Sequence, residues 1–542
     1  MRSRLSVLGW LGPLAVLSFA AACSKGSSSP AIVHLAVERA FADRAFAVAG
    51  ESLAPKHLGV EPASDLASAD VIISTTPSED RDALVFATGY WVAAAQLPSP
   101  EREITLAQLS EAVAGSSSDW TRVLVPAGAP PPLAQWWPDV APVVESMPLD
   151  EIPSALAADP GALAFLPLEA VDARVRSLTV DGANMVFGTG DTGVYPLTEP
   201  GWITTRGSGS KSFDATLRAL AIDLSKALVN PPPDPIVLRA TGDIIPSRCA
   251  YAKQRDYGDF RHAFLELGPW LAQADITVGS LDASIADVSP PFGCIDTFNL
   301  AAPAASIDGL AYAGFDVITV ATNHVKDCGQ VGACGDEAFF ATLDNLRSHG
   351  IEPVGGGAGL AEARTPALLT VQGVRFAFLG YDDIAAYYHA EPGVPGTAPL
   401  DEAYVREDVA AATTQADVVI VLPQWGEEYT YDPNERQRAL AAAALESGAT
   451  LVIGNHPHWV QAAQASVGTF IAYALGNFVF DQDWSRETQQ GAVLEAAFHG
   501  SQLKGIQLYP VHIYDEHQPS FAEPDEAPQV LDRIWDASAR LP

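Results

Sequence analysis

Two histidines separated by one proline, His456 and His458, close an apolar run that begins Leu451-Val452-Ile453-Gly454-Asn455. A short β-branched run ending abruptly in polar residues predicts a buried strand that delivers side chains at its C-terminal end. Neutral imidazoles this close together suit a transition metal. The plainer alternative is a pair of surface histidines in a loop. The pattern recurs. Ile236–Ala240 leads to Thr241-Gly242-Asp243, and Ala274–Val278 leads to Gly279-Ser280-Leu281-Asp282. Phe315–Val320 leads to Thr322-Asn323-His324, and Phe376–Leu379 leads to Gly380-Tyr381-Asp382-Asp383. Val418–Leu422 leads to Gln424-Trp425-Gly426-Glu427-Glu428, and Phe470–Leu475 leads to Gly476-Asn477. Packing alone gives no reason for ligand-type residues at the ends of so many strands, whereas sites in α/β folds are assembled there.

The elements that must position these residues alternate. Helical spacing of apolar residues is found in Phe260 to Gln273, Asp336 to His349 and Asn434 to Glu446, with Gly350 and Gly448 as C-terminal caps. Strand and helix in alternation predict an α/β layered domain from about 236 to 515. Before it, the run Asn230-Pro231-Pro232-Pro233-Asp234-Pro235 stiffens a linker (230–235) and separates a region spanning 31–229. After it, residues 516–542 form an acidic, proline-containing tail that ends in a helix over Gln529 to Arg540.

The N-terminus reads as a targeting segment. Arg2 and Arg4 precede an apolar stretch, and Ala20-Ala21-Ala22-Cys23 is a small-residue cleavage site. Residues 1–22 resemble a bacterial lipoprotein signal, with Cys23 as the lipidated residue and 23–30 as a flexible tether. An ordinary secretory signal is the alternative. The expected localisation is an exported protein anchored to the cell-envelope membrane. An oxidising compartment and the remaining four cysteines suggest two disulfides. Of three pairings, Cys249–Cys294 with Cys328–Cys334 is favoured, because the latter two flank one glycine-rich loop. A thiolate zinc site competes, but no CxxC spacing supports it. The net charge of −35 argues against nucleic acid as a partner.

Taken with Gly242-Asp243, Ala313 through Asn323-His324, Asp327 with Gly329, Trp425 to Tyr429, Gly454 to His458 and Tyr473 to Phe478, the region from Ile236 to Asp515 resembles the capsule synthesis family of the poly-gamma-glutamate CapA type. That family is related to the calcineurin-like metallophosphatases. The resemblance implies a layered β-sandwich flanked by helices. It implies a divalent transition metal (Mn, Fe or Zn, one or two ions) and an anionic polymer or phosphoester substrate. The chain departs from the family pattern at Ser280-Leu281-Asp282, at Thr322 and at Gln424, which stands where the family often has histidine. Asp243, Asp282, Asn323, His456 and His458 supply a mixed O/N ligand set. Gln424, Glu427 and Asn477 are further metal or substrate candidates. His324 could protonate a leaving oxygen, with Asp327 orienting its ring. Capping or turn roles for the two aspartates and a structural role for His324 remain the alternatives. A binding or assembly component with a degenerate metal site is the alternative function. Segments of 31–229, from Tyr90-Trp91 through Tyr195-Pro196-Leu197, are similar to phosphate-type periplasmic substrate-binding proteins, which implies a smaller α/β binding domain.

Overall fold

The computed structural model describes residues 32–542 apart from 77, 79, 81, 230–233, 288–292, 296 and 329–333. Cys23, the signal and tether segments, most of the proline linker and Gly329 lie outside the described residues. Two compact units result. One comprises residues up to Trp91 together with Pro196–Pro232, the other Val92–Tyr195 together with Pro233–Pro542. The region 31–229, expected as one body, is therefore divided between them.

In the first unit, strands Gly59–Pro62, Ile32–Val37 and Val71–Ser74 pair in parallel, and Thr198–Thr205 joins antiparallel. Helices Ala42–Leu53 and Lys211–Leu228 cover this sheet through Ala45, Ala49, Leu217, Leu220 and Leu224. In the second unit, residues 92–195 contribute a parallel set, Glu145–Met147, Arg122–Pro126 and Ala162–Pro167.

The larger part of the second unit is a β-sandwich. One sheet runs Glu352–Val354, Val317–Thr319, Ile276–Leu281, Ile236–Ile244, Gln490–His499, Gln502–Tyr514, Gln518–Phe521. Its first four strands are parallel and the rest antiparallel. The other sheet runs Ala367–Val371, Val374–Asp382, Val418–Gln424, Leu451–Ile453, Thr469–Ala472, Ala463–Ser466, parallel at its centre. Leu238, Val278 and Leu494 of the first sheet share a core with Phe378, Ile420 and Leu451 of the second. Phe376 and Phe498 meet across it with ring centroids 5.4 Å apart. Helices close the outer faces, so every central strand is buried on both sides. That is why Val418–Gln424 is apolar almost throughout instead of alternating.

Among the helices, Gly335–Ser348 and Glu435–Glu446 match their periodicity. Asn434 caps the second in a reciprocal capping box with Gln437. The stretch Phe260 to Gln273 instead breaks into a turn at His262–Phe264 and a short helix at Gly268–Leu271, because Pro269 cannot continue the preceding backbone hydrogen bonding. The last helix, Ala527–Ala539, seals the sandwich with Val530 and Ile534, and the sheet itself extends past Asp515 to Phe521. No helix among the described residues is long and apolar enough to cross a membrane.

Glycines allow the strand ends to converge. A Cβ on Gly454 would run into the Tyr473 carbonyl and the Trp425 indole. Gly454→Ala is expected to cost about 1–3 kcal/mol of stability through overpacking, measured as a lowered denaturation midpoint at unchanged m-value.

Candidate functional site

The C-terminal ends of the parallel strands from both sheets meet at one edge of the sandwich. Asp243 closes Ile236–Ile244, and its position depends on a register shift against Ile276–Leu281 between Ala240 and Asp243. Such a bulge re-aims the residue that follows it. Asp282 follows the next strand, and both aspartates are 0 % exposed. The main chain ties them to the neighbouring strand ends. The His456 N–H donates to Asp243 Oδ2 at 3.1 Å and the His324 N–H donates to Asp282 Oδ1 at 3.1 Å. His458 Nδ1 stands 3.7 Å from Asp243 Oδ2.

His456 and His458 adopt φ values of 99° and 58°, in the region that L-residues rarely occupy. Strain of this kind costs about 1–3 kcal/mol per residue and concentrates at ligand-binding positions. It turns the chain sharply enough around Pro457 to place both imidazoles in the buried cluster, where their exposures are 4 % and 5 %.

Burial, and then the charge of Asp282, pushes the Asp243 carboxyl well above the usual carboxylate range. Burial likewise raises Asp282, against the opposing pull of His324 and His458. Burial drives the His456 imidazole down to about 3, with His458 and His324 acting in the same direction. Burial also lowers His458. Both rings are therefore neutral at physiological pH, the form that ligates metals. His324 is the exception. Burial lowers its proton affinity, but Asp282 and the hydrogen bond to Asp327 prevail and raise it to about 9. It is a partly buried cation whose Nδ1 donates to Asp327 Oδ2 at 2.6 Å. Asp327 also accepts from the Leu300 N–H at 2.8 Å and from the Tyr388 hydroxyl at 3.0 Å. The aspartate is thereby fixed, and it fixes the ring.

Several buried polar atoms in this cluster have no hydrogen-bond partner: Asp243 Oδ1, Asp282 Oδ2, Asn455 Oδ1 and His456 Nδ1. Buried polar atoms are seldom left so, because each forfeits its hydration without compensation. Three oxygens and a neutral ring nitrogen form a donor set that fits a divalent cation of borderline softness. They do not make a closed cage. Among the described residues, the one group of three His, Cys, Asp or Glu atoms all within 4.8 Å of one another is Cys249, Cys294 and Glu516. Its sulfurs are consumed by the Cys249–Cys294 disulfide, which is formed together with Cys328–Cys334.

The further candidates divide. The His458 Nδ1–H donates to Asn477 Oδ1 at 2.8 Å, and Asn477 Nδ2 donates to the Thr488 carbonyl and to Gln482. Asn477 is thus fully engaged as the residue that orients His458 and leaves its Nε2 free, the usual partner arrangement for a metal-binding imidazole. Gln424 bridges the two sheets, accepting from Ser280 Oγ at 3.3 Å and donating to Asn323 Oδ1 at 3.5 Å. Glu427 is exposed; its neighbour Glu428 is the one whose charge reaches His324. Asn455 was legible only as part of a motif, and its unpartnered oxygen makes it a ligand candidate. Tyr388 carried no sequence signal, because its contact with Asp327 spans 61 residues.

Asp243 is a fully buried carboxyl beside a second one, Asp282, and keeping it charged opposes folding. Asp243→Asn is expected to stabilise the metal-free protein by about 0.5–2 kcal/mol while weakening metal binding. Paired thermal unfolding with and without added Mn or Zn checks this: the variant unfolds higher without metal and gains less with it.

Residues 237–482 match the family model described as bacterial capsule synthesis protein PGA_cap. A PGA biosynthesis protein CapA from Bacillus subtilis is 34 % identical over 39 % of this chain and 54 % of its own length. A capsule biosynthesis protein CapA from Bacillus anthracis is 28 % identical over 52 % and 68 % respectively. The chain thus spans about half the length of the first relative and two thirds of the second. Among solved structures, a phosphate transport receptor from Vibrio cholerae aligns with 36 % of this chain and 96 % of its own, at 13 % identity and a TM-score of 0.25. A 5'-nucleotidase from Staphylococcus aureus aligns with 56 % and 58 %, at 11 % identity and a TM-score of 0.33. Over residues 237–482, where the strand-end carboxylates and histidines lie, this chain is similar to the bacterial capsule synthesis protein family.

Proposed function

We propose that the second unit is a metal-dependent hydrolase acting on phosphoesters, in an exported, lipid-anchored protein that serves the synthesis or processing of a poly-gamma-glutamate-type capsule polymer. The observation that carries the catalytic part is the convergence of unpartnered buried atoms on Asp243, Asp282, Asn455 and His456. The biological setting comes from the relatives' names, PGA biosynthesis and capsule biosynthesis proteins.

In this reading Asp243, Asp282, Asn455, His456 and His458 hold a divalent transition metal. The bound metal supplies Lewis acidity toward a phosphoryl oxygen and acidifies a water. The chain supplies the rest. Asn477 fixes the His458 ring. Asp327, held by Tyr388 and the Leu300 N–H, keeps His324 charged and oriented. The His324 Nε2–H is the proton that would pass to the departing alcohol oxygen. Burial of the cluster limits competing water.

The test is metal analysis of protein purified without chelators, followed by hydrolysis of an aryl phosphate with and without Mn or Zn. Near-stoichiometric metal and metal-dependent turnover are expected. Metal-free protein that stays inactive on reconstitution would sink this reading.

A binding-only role draws on a specific observation: Gln424 sits where it occupies Asn323 Oδ1. Tight polymer binding without turnover, unchanged by Gln424→His, would favour it. The N-terminal unit as a ligand sensor is open to calorimetry against phosphate, small anions and amino acids.

A further inference from the structure

Two large aromatic side chains near the cluster are turned out to solvent: Tyr387 is 77 % exposed and Trp484 is 58 % exposed. Single exposed aromatics are ordinary, but these two connect to the buried cluster by different routes. Trp484 meets Tyr429 edge-on at 6.0 Å, and Tyr429 stacks on His458 at 6.1 Å. Tyr387 meets Tyr388 edge-on at 4.5 Å, and the Tyr388 hydroxyl donates to Asp327. Gln482 holds Tyr429 from behind, donating to its hydroxyl at 3.3 Å while accepting from Asn477. The supporting rings are thus fixed by the residues that orient the imidazoles, while Tyr387 and Trp484 themselves remain largely exposed.

The charge of the protein narrows what these faces take. At a net charge of −35, a bare polyanion gains nothing from the surface at large, and neither ring offers it a counter-charge. Stacking on an aromatic face does not depend on charge. It suits a group with a flat π face or a ring of C–H bonds.

We propose that Tyr387 and Trp484 form a stacking subsite of the candidate phosphoesterase centre, and that its substrate is the phosphoester of a ring-bearing alcohol, a sugar or a nucleoside, rather than of an open chain. The inference rests on the phosphoester reading above and adds the identity of the alcohol.

The experiment measures dissociation constants by calorimetry on the full-length, metal-supplemented protein for three probes: glycerol 3-phosphate, glucose 1-phosphate and AMP. At least one ring-bearing probe is expected to bind about tenfold tighter than glycerol 3-phosphate, within the range that one stacked ring contributes. Tyr387→Ala and Trp484→Ala are each expected to shrink that ratio severalfold. Both positions are on the surface, and circular dichroism verifies the fold of each variant. AMP ahead of glucose 1-phosphate assigns a base to the subsite, and the reverse order assigns a sugar. Equal affinities for all three, or a preference that survives both substitutions, overturns this inference and leaves the phosphoester reading standing. Absence of binding by all three overturns both.

Discussion

His456→Ala is expected to strip the protein of most of its metal and to lower kcat/KM for an aryl phosphate by about a thousandfold. That factor corresponds to roughly 4 kcal/mol of transition-state stabilisation, in line with the several kcal/mol that a Lewis-acidic ion supplies. The substitution removes the neutral ring whose Nδ1 has no protein partner. Asp327→Asn makes a useful contrast. It weakens the hold on His324 without touching a candidate ligand, so metal content is expected to stay while kcat falls by about 10–100-fold. Elemental analysis and steady-state kinetics on the same preparations separate the two. Full metal content in the His456 variant would remove that residue from the ligand set.

The second large effect concerns the strand that carries Asp243. Arg239 and Glu495 form a buried ion pair at 2.7 Å between Ile236–Ile244 and Gln490–His499. The Arg239 guanidinium lies 3.8 Å over the Trp270 ring and also donates to the Trp270 carbonyl. Glu495 is 3 % exposed, and its remaining partner is the Tyr509 hydroxyl at 3.2 Å. Arg239→Ala leaves this carboxylate buried without a cation, and a destabilisation of about 3–5 kcal/mol is expected in urea unfolding. Combining Arg239→Met with Glu495→Leu removes both charges and fills the space, so most of the loss is expected to be recovered. If the single variant unfolds like the parent, Glu495 has found water or another partner.

The sequence carried the fold of the sandwich further than it carried the site. Val418–Leu422 and Leu451–Ile453 are apolar on both faces, and runs of that kind name buried parallel strands without help from tertiary contacts. The polar residues behind them could be read as strand-end residues for the same reason. Their roles could not. Whether Asn477 binds a ligand or orients a ring depends on His458 Nδ1 lying 2.8 Å away. The left-handed backbone at His456 and His458 has no signature in residue type, since it is imposed by the packing around it. The bulge before Asp243 has a glycine to mark it, but a glycine in a strand marks several things. Domain division was the least legible. The proline run after residue 229 signals a break in the chain, whereas the attachment of residues 92–195 to the C-terminal sandwich is made by contacts hundreds of residues apart.

That attachment bears on how the chain is made. Lys504 Nζ donates to the Glu169 carbonyl, a ring nitrogen of His499 pairs with the Val186 carbonyl, and Arg102 donates to the Leu508 carbonyl across 406 residues. Leu97 and Ala173 complete a core whose other members are mostly drawn from residues 236–534. At about 5–20 residues per second, a ribosome needs roughly 20–80 s to travel from Arg102 to Leu508. For that interval the early segment has no partner for its inner face. A nascent chain of this length therefore depends on something else to cover Leu97 and its neighbours, and a fragment that starts at residue 236 would emerge with the complementary face bare.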